Sequence, residues 1–178
     1  MVAVLDRQGP PTQAEFHEVI SDKSDRWYSA CLKITRNRDL AEDAVQDALL
    51  SAWNKRHQYD RSARLDTWIH RIAINAALQL LRKSKPGVFS ALEVEVEDSE
   101  PTPEHVRADE ELGRDLAAAM QNLSEIERVC FVLKHLEQWR LKEIAEEIDS
   151  NVGTVKQAIF RAVKKLRVRM AALQREAL

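Results

Sequence analysis

From Leu141 to Ile148, and again from Val152 to Ile159, apolar residues recur at helical spacing, and only Asp149, Ser150 and Asn151 stand between the two runs. A break that short turns the second helix back across the first, which is the spacing of a helix-turn-helix. Small Ala145 permits close approach, and Ile144, Ile148, Val155 and Ile159 supply a shared core. Asn151 can cap the second helix, and Gly153 and Thr154 leave its first turn unobstructed. Between Asn151 and Met170 that helix carries Lys156, Arg161, Lys164, Lys165, Arg167 and Arg169 and no acid. These cations create a local positive field suited to phosphates. Cations near a helix C-terminus also complement the macrodipole, which accounts for the last few without DNA. It does not account for the missing acids of the first turn, where acids are favoured.

The remainder of the chain is also helical in pattern. With 4 Gly and 5 Pro in 178 residues, turn formers are too few for an all-β architecture, and a hydrophobic fraction of 44% is enough to fill a core. No run of about 18 apolar residues exists to span a membrane. Met1 to Pro10 lack the basic-then-apolar order of a secretion signal, so the protein is expected to stay in the cytoplasm, where it is made. Cys31 and Cys130 show no CxxC or Cys/His spacing and read as buried free thiols in a reducing compartment. His17, His57, His70, His105 and His135 make no metal spacing and pair with no nucleophile, and Glu146 and Glu147 project from different helix faces. The expectation is therefore no enzyme, no catalytic residue, no metal and no cofactor.

A net charge of −2 argues against a nucleic-acid binder until it is divided along the chain. Residues 1–87 hold 14 basic and 11 acidic residues, a net +3; residues 88–115 hold 2 and 10, a net −8; residues 116–178 hold 11 and 8, a net +3. Two mildly basic segments thus flank one acidic block. Within it, Val88 to Thr102 has no sustained period, and Glu93, Glu95, Glu97, Asp98 and Glu100 alternate with small apolar residues. A flexible linker is the favoured reading over a short exposed strand.

Residues 1–87 read as three helices. The first runs from about Thr12 to Thr35; the second, opened by Asp39 with Glu42 as a capping box, runs to about Lys55. The third, capped by Asp66, spans Thr67 to about Lys83, with Ile69, Ile72, Ala73, Ala76 and Leu80 as its core face. After the linker, helical spacing resumes from Pro103 to Leu123, then from Glu125 to Leu136 behind a Ser124/Glu127 capping box, and finally from Val152 to about Arg169.

Two surfaces in the first segment stand out. Asp39, Asp43, Gln46, Asp47 and Leu50 fall opposite the apolar stripe of the second helix. They suit a basic partner, with Leu50 as an apolar contact, but an ordinary solvated face accounts for them as well. Arg61, Arg64, Trp68, Arg71, Asn75, Arg82 and Lys83 combine a polar loop, a Trp and spaced cations, the mixture that holds single-stranded nucleic acid. Trp68 as plain core at a helix start fits equally.

Taken together, these motifs resemble a known family. Asp39 to Trp53 is similar to the polymerase-binding helix of extracytoplasmic-function sigma factors of bacterial RNA polymerase, and Thr67 to Asn75 to their −10 reading helix. Glu143 to Ala145, Val152 to Lys156 and Phe160 to Ala162 resemble their −35 reading helix-turn-helix. The resemblance, ordered over about 150 residues, implies an all-α fold of two small helical domains. These would be a sigma region 2 domain at 1–87 and a sigma region 4 domain at 116–178, with 88–115 the acidic linker running into the first helix of the second.

What the resemblance implies for function is a factor that takes core RNA polymerase to −10/−35 promoters in a stress or envelope-signal response. Asp39, Asp43, Gln46, Asp47 and Leu50 would meet the β′ clamp helices of core polymerase, whose β flap would be a further partner surface. The loop from Arg61 to Asp66 would capture a flipped −10 base, with Trp68, Arg71 and Asn75 along the strand-separation site and Arg82 and Lys83 as further −10 DNA contacts. Thr154, Lys156, Gln157, Phe160, Arg161, Lys164 and Lys165 would hold the −35 element. An anti-sigma factor would sequester the protein, holding it near the membrane, and the active form would be nucleoid-associated. Gln157 and Ala158 stand where relatives often have Ser-Arg, and Gln79 where many have Asp. Gln can bond adenine edges and Ala can touch a thymine methyl. The alternative from another class is a helix-turn-helix repressor or activator, which would need a dimer interface or ligand pocket beside the motif.

Overall fold

The computed structural model describes residues 9–89 and 110–176, and it divides into two compact units, Met1–Ser84 and Lys85–Leu178. The described residues form helices joined by short connections, with no strand among them. The alternating acids from Glu93 to Glu100, and the helical spacing expected from Pro103 to Asp109, lie outside the described residues.

The first unit packs three helices pairwise: α1 (Gln13–Thr35), α2 (Arg38–Asn54) and α3 (Leu65–Ser84). The inward face of α2 is made of Ala41, Ala44, Ala48 and Ala52, all buried. Methyl groups at this spacing let the backbone of α2 approach its neighbours closely, so the bulk of the core comes from the other two helices. Trp27 and Ile34 of α1 and Ile69, Ile74, Leu78 and Leu81 of α3 fill it. Phe16 meets the edge of Trp53 at 5.2 Å and 89°, closing the end of the bundle.

Helix boundaries follow from local hydrogen bonds, and in this unit the starts of α2 and α3 differ from expectation. At α1, Thr12 and Glu15 form a capping box, with reciprocal bonds of 3.2 and 2.8 Å. α1 stops where Arg36 turns left-handed, at φ 52. The extended residue that follows is Asn37, and its Oδ1 accepts from the Leu40 N–H at 3.0 Å. Asn37, not Asp39, is therefore the N-cap of α2; Asp39 lies inside the first turn, where its charge favours the dipole. Likewise α3 begins before Asp66, whose carboxylate sits in the first turn and accepts from Arg64 Nε at 3.0 Å. The core face of α3 is also rotated from expectation. Ile69 and Ala73 are buried as read, but Ile74, Ala77, Leu78 and Leu81 complete the core, and Ile72, Ala76 and Leu80 line a cleft against α2. An apolar arc wider than one stripe is what a helix wedged between two others needs.

In the second unit α4 (Glu110–Met120), α5 (Glu125–Phe131) and α6 (Leu141–Glu147) each pack on α7 (Val152–Glu176). The Ser124/Glu127 capping box of α5 is present. The expected single helix to Leu136 instead widens into a π turn over Val132–Leu136, closed by Glu137 N–H to Val132 O at 3.0 Å. The extra residue in this turn accompanies full burial of both Val132 and Leu133, and Trp139 tucks in behind them. Between α6 and α7, Asp149 is left-handed at φ 53 and Ser150 N–H returns to Ala145 O at 2.8 Å, tying the corner. α7 continues past the expected Arg169 to Glu176.

The capping assignment gives a direct test. Asn37→Ala should lower the unfolding free energy by about 1 kcal/mol, while Asp39→Ala should change it by less than about 0.5 kcal/mol, measured by urea denaturation of the full chain.

Candidate nucleic-acid interface

α7 is core on one side and charge on the other. Val155, Ala158, Ile159, Ala162 and Leu166 are buried against the preceding helices. At 100° per residue, Gln157, Phe160, Arg161, Lys164 and Val168 fall together on the opposite side. Lys164 is exposed, Gln157, Phe160 and Arg161 are half-buried, and Val168 is 69% exposed. Lys156 and Arg167 flank this face, and both are exposed. The start of the helix is held by Asn151, whose Oδ1 accepts from the Thr154 N–H at 2.8 Å and the Thr154 hydroxyl at 3.2 Å. Thr154 is thereby directed into the cap. A Cβ on Gly153 would lie 3.1 Å from the same Oδ1, so glycine keeps the capping oxygen uncrowded. Ala158 is 2% exposed, which removes the expected thymine-methyl contact: it faces the core.

Lys165 also differs from its neighbours. Its ammonium donates to both carboxylate oxygens of Glu127, at 3.0 and 2.7 Å, and Glu127 is 3% exposed. Glu127 simultaneously caps α5 through the Ser124 N–H at 2.9 Å. One carboxylate thus fixes α5 and pins it to α7, and the cation of Lys165 neutralises it. Beside it, the buried guanidinium of Arg128 bonds Glu125. Burial works to raise the Glu125 pKa, but hydrogen bonds from Arg128 and Lys85 outweigh it and hold the group below its ordinary value. Burial alone pushes the Cys130 thiol up to about 12, leaving it inert at neutral pH.

In the first unit, Asp39, Asp43, Gln46 and Asp47 are exposed on α2, and Leu50 is 66% exposed. This face holds one large apolar side chain among carboxylates, directly opposite the buried alanines. The loop before α3 is tightly organised. Tyr59 donates its hydroxyl to Ala63 O at 2.6 Å and packs on Trp68 at 5.2 Å. Burial raises the Tyr59 pKa, against the opposing charge of Arg61. Arg61, left-handed at φ 61, bonds Gly9 O at 3.2 Å and Glu15 at 3.4 Å. Arg64 reaches back to Asp66 with its side chain still 80% exposed.

From this loop Trp68, Arg71, Asn75 and Arg82 run along one stripe of α3, a length of about 21 Å at the helical rise. Lys83 lies at the edge of this stripe and is exposed. Asn75 Oδ1 is buried with no hydrogen-bond partner among the described residues, and it lines a cleft of about 260 Å³ shared with Asp47, Ser51, Lys55 and Gln79. Tyr59 and Glu15 join the candidate site only through the fold. The signal for Tyr59 was an aromatic nine residues before Trp68 across a polar loop; for Glu15 it was a Thr-x-x-Glu pattern at the first helix.

The model of sigma-70 region 2 matches residues 20–86 and that of sigma-70 region 4 matches residues 113–166, in this order. The chain is 31% identical over 130 residues to the ECF RNA polymerase sigma-E factor of Escherichia coli (strain K12), an alignment covering 67% of this chain and 68% of that protein. It is 28% identical over 171 residues to the ECF RNA polymerase sigma factor SigW of Bacillus subtilis (strain 168), covering 90% and 91%.

The chain belongs to the extracytoplasmic-function sigma factors.

Its fold resembles that of the sigma factor RpoE solved with the anti-sigma factor NepR from Bartonella quintana, at a TM-score of 0.57 and 22% identity, covering 88% of this chain and 97% of that one. As a sigma factor it binds core RNA polymerase and directs it to promoters, and it acts by binding rather than by catalysis. Matches in both units leave a repressor that uses the helix-turn-helix alone without support. Among the described residues no helix is long and apolar enough to cross a membrane.

The adjacent lysines Lys164 and Lys165 of α7 should separate by phenotype. Lys165→Met strips the buried Glu127 of its cation and should destabilise the second unit by about 2 kcal/mol. Lys164→Met should leave stability within about 0.5 kcal/mol. Thermal denaturation of both variants followed by circular dichroism reads the difference.

Proposed function

We propose that this sigma factor divides promoter reading between its two units and docks on polymerase through α2. The observation that carries this reading is the single acid-free face of α7, which sets Gln157, Phe160, Arg161 and Lys164 outward while its opposite face is core. Such a helix, presented by a helix-turn-helix, fits the −35 major groove, with Lys156 and Lys164 on phosphates and Gln157 and Arg161 toward base edges. Thr154 supports it through the cap, and Lys165 supports it through Glu127.

The Arg61–Asp66 loop would receive a flipped base of the −10 element. Trp68 and Tyr59 give it an aromatic wall, Arg64, Arg71, Arg82 and Lys83 give it phosphate contacts, and Asn75 lies where the strands part. The face of Asp39, Asp43, Gln46, Asp47 and Leu50 would dock on the basic β′ clamp helices, with Leu50 as the desolvated centre and the carboxylates around it. Region 4 would also meet the β flap. The domain assignment of 1–87, 88–115 and 116–178 follows, with the −8 segment threading the polymerase channel that otherwise holds nucleic acid. The similar fold of a sigma factor solved with its anti-sigma factor supports control of this chain by such a partner. We place its activity in the cytoplasm, on the nucleoid when active and near the membrane when sequestered, in a stress or envelope-signal response.

Run-off transcription with core polymerase tests the whole reading: promoter-specific transcripts should appear only when this protein is added, and their absence refutes it. Asp47→Lys should weaken binding to core by about two orders of magnitude, the scale of a like-charge contact in a docked interface, with an unchanged melting curve. Lys164→Ala should lower activity across promoters and reduce the salt dependence of DNA binding by about one unit of slope.

A further inference from the structure

Arg61 is left-handed at φ 61, a conformation that suits glycine and that a long side chain keeps only when its surroundings fix it. Its fixing groups lie far off in sequence. Nε donates to the Gly9 carbonyl at 3.2 Å and Nη1 to Glu15 Oε1 at 3.4 Å, while the guanidinium carbon lies 5.7 Å from the centroid of the Tyr59 ring. The other oxygen of Glu15 accepts from the Thr12 N–H at 2.8 Å, so one carboxylate both caps α1 and holds Arg61. Tyr59 in turn packs on Trp68 at 5.2 Å and donates to Ala63 O. A chain of contacts therefore runs from the first turn of α1, through Arg61, to the aromatic wall of the loop. Arg64 differs: it bonds Asp66 yet its side chain is 80% exposed, where a phosphate can reach it, whereas that of Arg61 is 31% exposed and committed to Glu15.

Resting on the −10 reading proposed above, we infer that Glu15 is a positioning residue for base capture: through Arg61 it sets the Tyr59 and Trp68 rings, and Arg61 serves the loop rather than the DNA backbone. Extruding a base costs its stacking, and a loop that must also be ordered at that moment adds to the cost. A loop already held by Glu15 and Arg61 does not. The sign of the effect is diagnostic. A carboxylate beside a polyanion opposes binding, so its removal should strengthen DNA binding if charge were its whole contribution. Positioning gives the opposite sign: removal weakens capture.

The test is run-off transcription by core polymerase with the full-length protein, on active promoters randomised one position at a time across the −10 element. Wild type should show a strong base preference at the captured position. Glu15→Gln keeps the acceptor that the capping box needs but leaves one oxygen where two are used, and it removes the charge. It should reduce the preference at that position by roughly 5-fold, the scale of one ion pair, and leave the −35 preferences as they are. Arg61→Gly suits the left-handed backbone and should produce the same loss, with the salt dependence of promoter binding by the holoenzyme unchanged. The double variant should be no worse than either single one. A wild-type −10 profile in Glu15→Gln overturns the inference, as do losses that add in the double variant. A salt slope reduced by about one unit in Arg61→Gly also overturns it, since Arg61 would then be a phosphate contact. A flat −10 profile in wild type, with full activity in Arg64→Ala, would instead overturn the −10 reading itself.

Discussion

The second unit depends on α7 serving two solvents at once. All three shorter helices pack on it, so Val155, Ile159, Ala162 and Leu166 must stay buried for α4, α5 and α6 to hold their positions. The same helix presents cations outward, and those repel one another along its length. One of them is paired: half-exposed Lys165 lies on Glu127, where its charge neutralises a buried carboxylate. The outward face and the core of the second unit are thus carried by one helix, on different residues.

The first unit solves a related problem with small side chains. Because α2 buries only alanines, it contributes little bulk to the core and leaves its polar half fully outside. That division is why acids and an exposed leucine can share one helix with a tight bundle contact. The apolar area of Trp27, Ile69 and Leu78 secures the bundle, so the outer face of α2 can vary in chemistry without loss of packing.

Much of this was legible in the residues, wherever a signal was local. The corner at Asp149 to Asn151, the Asn151 cap and the Ser124/Glu127 box are short-range hydrogen-bond patterns, and each is present. Domain-scale organisation was visible as a change in charge sign along the chain. Boundaries failed where two good capping residues competed: Asn37 and Asp39 both suit the role, and the left-handed turn at Arg36 decides between them. Fates of individual cations failed for a different reason. Lys164 and Lys165 are neighbours in sequence, and only the tertiary position of Glu127, 38 residues away, separates a surface charge from a structural one. The π turn after α5 carries no composition signal, since it answers the packing of Val132, Leu133 and Trp139 rather than a local preference.

The anchorage of Arg61 has a consequence for how the loop keeps its shape. Its guanidinium reaches across 46 residues of sequence to Glu15 and farther still to Gly9, so the loop is not a self-contained turn. Its order is cooperative with the opening turn of α1, itself the end of a helix and the place where fraying begins. Each time that turn opens, the loop loses a strut it cannot replace from its own residues. The sharpness of the loop is thus a population, weighted by the closed fraction of a helix end that touches none of the bases it would read.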